Sequence, residues 1–275
     1  MSDSIPRMPV LPLVLLVLVA LAGGCGKGQT PSARSADKAP TAPAQPQPDV
    51  LKDVVETKPE YIIGISYPKS AAAHLGLAKA LQAYADAARA ALMQAVARKG
   101  KESGAPFDLS LQFTGLVDTP GLVVVAADGS SYTGGEHGNP LVARFVWLPA
   151  QGELLTAQAL VPAATGWQEI ADASREQLMT MLSQRLEADD LPPGDYAEQL
   201  RMGSTAIADG TAPDPRNFAQ FEPVVDADGR IRALRFVFPP KQVGPYSDGT
   251  LAVDIPAATL LPHIAPRYRS MFRGG

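Results

Sequence analysis

The chain has 275 residues, 46 % apolar and 19 % charged, with a mean hydropathy near zero; this is globular composition and excludes wholesale disorder or a bundle of membrane helices. The formal net charge is −4 and no Lys/Arg cluster occurs, which argues against nucleic acid as a partner because nothing is placed to neutralise phosphates. A single cysteine excludes an intramolecular disulfide, and a lone thiol in an exported protein calls for something that consumes it.

The first element is an export signal. Residues 9–22 form an apolar run of fourteen, too short to span a bilayer, which takes about 20 residues, but the right length for a signal-peptide core. Leu21-Ala22-Gly23-Gly24-Cys25 follows at once and resembles the bacterial lipobox, in which small residues let the peptidase reach the backbone before a diacylated cysteine. Residues 1–24 are therefore expected to be removed and Cys25 to carry fatty acid; each buried methylene adds about 0.8 kcal/mol to membrane attachment. Gly26 rather than aspartate follows Cys25, so in a Gram-negative cell the expected location is the inner leaflet of the outer membrane, facing the periplasm. Residues 25–49 contain five prolines and no large apolar residue before Val50; such a stretch reads as an unfolded tether reaching about 25–30 Å.

The folded part starts near residue 50. Glu60-Tyr-Ile-Ile-Gly-Ile-Ser-Tyr67 reads as a strand stopped by Pro68, being rich in β-branched and aromatic residues. A helix is predicted over about 70–99, with Leu77, Leu81, Tyr84, Ala88, Leu92 and Val96 forming its apolar stripe and Gly100 its end. Strands are predicted at 107–113, 122–125 and 141–147, and a second helix over 166–188 with Thr165 and Gln168 as a capping box. Residues 189–216 read as loops with at most a short helix. Strands at 218–225 and 231–238 are joined by the turn Asp226-Ala-Asp-Gly229; a last strand covers 250–255 and a short helix 257–270. Grouped strands with separate helices predict an α+β fold: antiparallel sheet packed with two main helices.

Three passages, in order, resemble one family. Tyr61-Ile-Ile-Gly-Ile-Ser-Tyr-Pro68 is similar to its opening strand, and Ser131-Tyr-Thr-Gly-Gly-Glu-His-Gly-Asn-Pro140 to its Tyr-x-Gly-Gly-Ala-His segment. Phe238-Pro-Pro-Lys-Gln-Val-Gly-Pro-Tyr-Ser-Asp-Gly249, followed by Val253-Asp-Ile-Pro256, resembles its closing motif. This is the RsiV-like extracytoplasmic domain family, found in lysozyme-sensing anti-sigma factors and beside the catalytic domain of some peptidoglycan deacetylases. The resemblance covers about residues 54–270 and implies two successive halves, 50–150 and 151–275. It also implies an envelope role, binding a lysozyme-like protein or accompanying peptidoglycan chemistry. With only 24 residues before Cys25 and nothing after residue 275, neither the sigma-binding segment nor the deacetylase domain is expected. Glu136 stands where the family usually has alanine.

Little in the sequence points to chemistry. His74, His137 and His263 are far apart and have no second ligand at zinc spacing; no metal or cofactor is expected. A Gly-x-Ser-x-Gly elbow is missing, and Gly134, Gly135 and Gly138 lack the Lys-Ser/Thr of a phosphate loop. The candidate ligand surface is Tyr132, Gly134, Gly135, Glu136, His137 and Asn139, with Tyr246. Its plainer reading is a positive-φ turn at Gly134-Gly135 with His137 capping backbone groups, and a Pro245-Tyr246 corner pinning the last strands. The expected function is non-enzymatic binding of a lysozyme-like protein or a peptidoglycan glycan. The alternatives are a cell-wall hydrolase or carbohydrate-active enzyme using Glu136 and His137, or a structural envelope-assembly protein.

Overall fold

A computed structural model describes residues 51–99 and 104–275; Cys25, the signal, the tether and Gly100 lie outside the described residues. The chain opens with β1 (Val54–Thr57) and β2 (Tyr61–Ser66), then the 25-residue helix α1 (Leu75–Lys99). Next come β3 (Phe107–Thr119), β4 (Leu122–Tyr132), β5 (Asn139–Leu148) and the short β6 (Glu153–Leu154). These six strands form one sheet in chain order. The class is α+β, as the sequence predicts. The sheet is nonetheless mixed, because β2 pairs parallel with β3, Tyr61 opposite Phe107 through Ser66 opposite Gln112. Parallel neighbours need a crossover long enough to return the chain to the same end, and α1 is that crossover.

The second half contains α2 (Ala157–Leu160), α3 (Ala164–Ala188), α4 (Pro193–Gly210) and the antiparallel sheet β7 (Phe221–Val225), β8 (Ile231–Phe238), β9 (Leu251–Pro256), closed by α5 (Ala257–Leu260) and a 3₁₀ turn at Pro266–Met271. The 257–270 helix of the sequence reading is thus two short pieces. The 18 residues of α4 fall where the sequence predicts loops with at most a short helix. Pro193 sits in its first turn, where the missing N–H has no helical partner to lose. Gly203 is retained because α3 comes close: a Cβ there would lie 2.6 Å from Leu182 Cδ2. The expected capping box at Thr165 is not formed either. The helix begins at Ala164 with no side-chain cap, and Gln168 instead donates to Asp172 at 3.0 Å.

Two cores flank the large sheet. Ile63, Leu81, Leu92, Leu111 and Trp147 pack beneath α1. Leu122, Val124, Val146 and Leu148 face the other way, into the core of α3, Trp167 and the small sheet. The uninterrupted run Leu122–Ala127 is buried throughout, as expected of a strand covered on both faces. Between the halves runs a chain of alternating charge. Arg144 Nε donates to Glu222 at 2.9 Å and its Nη1 to Asp128 at 3.0 Å; Arg235 bridges Glu222 at 3.6 Å and Asp254 at 2.7 Å. No helix among the described residues is long and apolar enough to cross a membrane.

Candidate ligand surface

The β4–β5 hairpin carries the first part of the surface. Its last register pair is Ser131 with Asn139, so Asn139 opens β5 and the loop runs from Tyr132 to Gly138. Gly134 and Gly135 have φ of 93° and 99°, backbone that a side chain resists. The Tyr132 hydroxyl donates to the Gly135 carbonyl at 3.0 Å and so closes the loop. Glu136 and His137 are exposed at its tip.

The second part is the long β8–β9 connection. Val243 is buried, and Gln242 Nε2 donates to the carbonyls of Gly210 at 3.0 Å and Asn217 at 2.8 Å, which ties the connection to the end of α4. Tyr246 starts a one-turn 3₁₀ segment, Tyr246–Asp248, ended by Gly249 at φ 68°; Asp248 ion-pairs with Arg185 of α3.

These two parts meet. The His137 and Tyr246 rings stack with centroids 4.7 Å apart and planes 11° from parallel. Lys241 Nζ stands 5.6 Å from the centre of the Tyr246 ring, within cation–π range, on a backbone held at φ 75°. Among the described residues His137 caps no backbone group; it leans on the other half of the molecule. Among the described residues Glu136 makes no hydrogen bond or ion pair, and His137 has no carboxylate partner. Its fellow histidine His263 does have one, Glu169 at 2.6 Å. No group of three His, Cys, Asp or Glu among the described residues is placed to hold a metal ion. The sequence reading missed Lys241, Gln242 and the Arg185–Asp248 pair, although Lys241 and Gln242 lie inside the quoted closing motif.

No family model matches the sequence, and no curated protein does either. Among solved structures, a DUF3298 family protein from Pseudomonas aeruginosa superposes with a TM-score of 0.53 at 16 % identity, over 82 % of this chain and 96 % of that one. The chain shares that protein's fold. A DUF3298 family member from Bacteroides fragilis matches at 19 % identity with a TM-score of 0.43, over 79 % of this chain and 93 % of that one. Both printed names give a family and no activity.

Proposed function

We propose that this chain is an RsiV-like lipoprotein of the bacterial cell envelope, anchored through fatty acid on Cys25, whose folded domain binds a lysozyme-like protein or a peptidoglycan glycan without transforming it. The observation that carries the binding reading is the stack of the exposed His137 on the half-buried Tyr246. Two passages singled out independently as family-like, one from each half of the chain, supply its two rings. Exposed aromatic and cationic side chains fixed by a rigid scaffold are the usual makings of a recognition surface.

The same geometry weighs against the hydrolase alternative. A catalytic base needs a partner that orients it, and among the described residues His137 has a ring contact and no hydrogen-bond partner. Glycoside hydrolysis further calls for two facing carboxylates, whereas Glu136 is exposed at a loop tip with no hydrogen bond or ion pair among the described residues.

The test is retention of the purified full chain on immobilised lysozyme and on peptidoglycan sacculi. Retention on either supports the reading, and passage through both removes it. A zymogram with wild-type protein addresses catalysis: a clearing zone lost in His137→Ala would replace the binding account with an enzymatic one.

A further inference from the structure

β1 begins the order of the large sheet, so one of its sides pairs with no strand. Which backbone groups face that side follows from the hairpin. The Lys58 N–H donates to the Tyr61 carbonyl at 2.8 Å, a bonded pair across a two-residue turn. Bonded and non-bonded pairs alternate along an antiparallel ladder. Glu56 with Ile63 and Val54 with Ile65 are therefore bonded, whereas Val55 with Gly64 and Thr57 with Ile62 are not. The N–H and C=O groups of Val55 and Thr57 thus point away from β2, and among the described residues they have no hydrogen-bond partner.

This free edge has two unlike faces. On one, Val55 is 85 % and Ile62 43 % exposed. On the other, Val54 shares the face of its register partner Ile65 and of α1, and a groove of about 390 Å³ lies between β1 and α1. Tyr67, Gln82, Asp86 and Arg89 line it. Burial, with Asp86 and Asp53 nearby, pushes the Tyr67 pKa up, so its hydroxyl is present as a donor. Half-buried Gln82 makes no hydrogen bond among the described residues.

These features select the occupant. A row of unpaired main-chain donors and acceptors fits another extended backbone, which sugars, lipids and ions lack. Successive side chains of a strand alternate between faces, so apolar β-branched residues would lie beside Val55 and uncharged polar ones would enter the groove. Residues 26–49 of the chain itself are a poor choice, because their five prolines cannot donate to a ladder. A second copy suits the edge no better. Pairing Val55 with Thr57 of that copy sets Glu56 against Glu56, and like charges directly opposed destabilise a ladder.

We propose that β1 is a strand-addition site: an extended segment of a partner protein, alternating apolar β-branched with uncharged polar residues, joins the large sheet as a seventh strand through the main-chain groups of Val55 and Thr57. This goes beyond the His137–Tyr246 surface and needs neither that surface nor the lipid anchor.

The experiment is amide-exchange NMR of the purified full chain, with the peptide acetyl-Thr-Val-Asn-Val-Thr-amide as the probe. Saturating peptide is expected to slow exchange at Val55 and Thr57 about tenfold or more. N-methylation of the peptide's two valines, whose N–H groups would face β1, should abolish that protection. N-methylation of its asparagine and last threonine, which would face away, should leave it. Thr57→Pro removes one outward donor and no bond to β2, a position where an edge strand accepts proline. It should weaken the peptide's affinity about tenfold, read at Val55; if that variant does not fold, the methylated peptides carry the test. No slowing at either amide, the same result with both methylation patterns, or unchanged affinity in folded Thr57→Pro would overturn the proposal. Protection already present without peptide would overturn it too, giving the edge to a second copy where it rises with protein concentration and to residues 26–49 where it does not. Any of these failures with retention on lysozyme or sacculi intact would leave the surface reading standing.

Discussion

The imidazole of His137 lies flat on the phenol ring of Tyr246, 4.7 Å between centroids, and so clips the β4–β5 hairpin of one half to the β8–β9 connection of the other. Pairs of this kind add about 0.5–1.5 kcal/mol beyond their buried area. His137→Ala and Tyr246→Ala are each expected to cost about 1 kcal/mol. The double variant should cost less than the sum, because the ring contact that the two residues share can be lost only once. A double-mutant cycle by urea unfolding checks the coupling; strict additivity would mean that the rings touch without holding.

The junction between the sheets should be more sensitive. The side chains of Arg144 and Glu222 are 8 % and 13 % exposed, and removing one member of a buried pair strands the other charge. Glu222→Leu is expected to cost about 3 kcal/mol, since Arg144 would keep the Ala143 carbonyl and the exposed Asp128 but lose its buried carboxylate. Adding Arg144→Met should recover most of that loss in equilibrium unfolding, as paired charges exchanged for apolar groups of similar size are close to neutral.

Two strand glycines should respond in opposite directions. A Cβ at Gly129 would meet the Ser110 carbonyl on neighbouring β3, so Gly129→Ala is expected to lose about 2 kcal/mol through overpacking. Nothing lies within 4 Å of a Cβ at Gly64; Gly64→Ala is expected to gain about 0.5 kcal/mol by restricting the unfolded chain. Thermal unfolding of the two variants reads both signs.

The Asp214 carboxylate accepts from the Arg216 guanidinium and from the Arg216 backbone N–H, and this holds its pKa at about 2, below the ordinary 3.8. A depressed acid stabilises the folded state above its unfolded pKa, and that contribution is lost as pH falls from 3.8 through about 2. The Asp214 carboxyl carbon should titrate with a midpoint near 2 in wild type and move towards 3.8 in Arg216→Ala.

Cys25→Ala tests the anchor. Wild-type protein is expected in the membrane fraction with a lipid-modified N-terminal cysteine by mass spectrometry, and the variant in the soluble envelope fraction. An unmodified thiol at Cys25 of the native protein would undo the anchoring account.

Much of this fold is written in local patterns. The apolar run at 122–125 announces a strand, which the structure extends and buries from Leu122 to Ala127, and the spacing of Leu77, Leu81 and Leu92 announces a packed helix, all three being fully buried. The strand–helix–strand order around α1 already held the parallel β2–β3 pair, which grouping the strands as antiparallel obscured. α4 was hidden because Pro193, Gly194 and Gly203 are breakers by propensity; its stability comes from packing on α3, a tertiary effect that overrides local preference. β1 escaped because its four residues alternate only half-buried with exposed. His137 and Tyr246 were each legible as candidates, but their contact was not. It depends on where Gln242, tied to Gly210 and Asn217, sets the β8–β9 connection, and no local pattern encodes that path.

The most direct measurement is the binding isotherm of the full chain on lysozyme and on sacculi, for wild type beside folded Tyr246→Ala. The account predicts saturable binding of wild type to at least one of the two and a loss of about tenfold in the variant, the effect of removing a central aromatic contact. Equal binding by both proteins, or binding by neither, would contradict it.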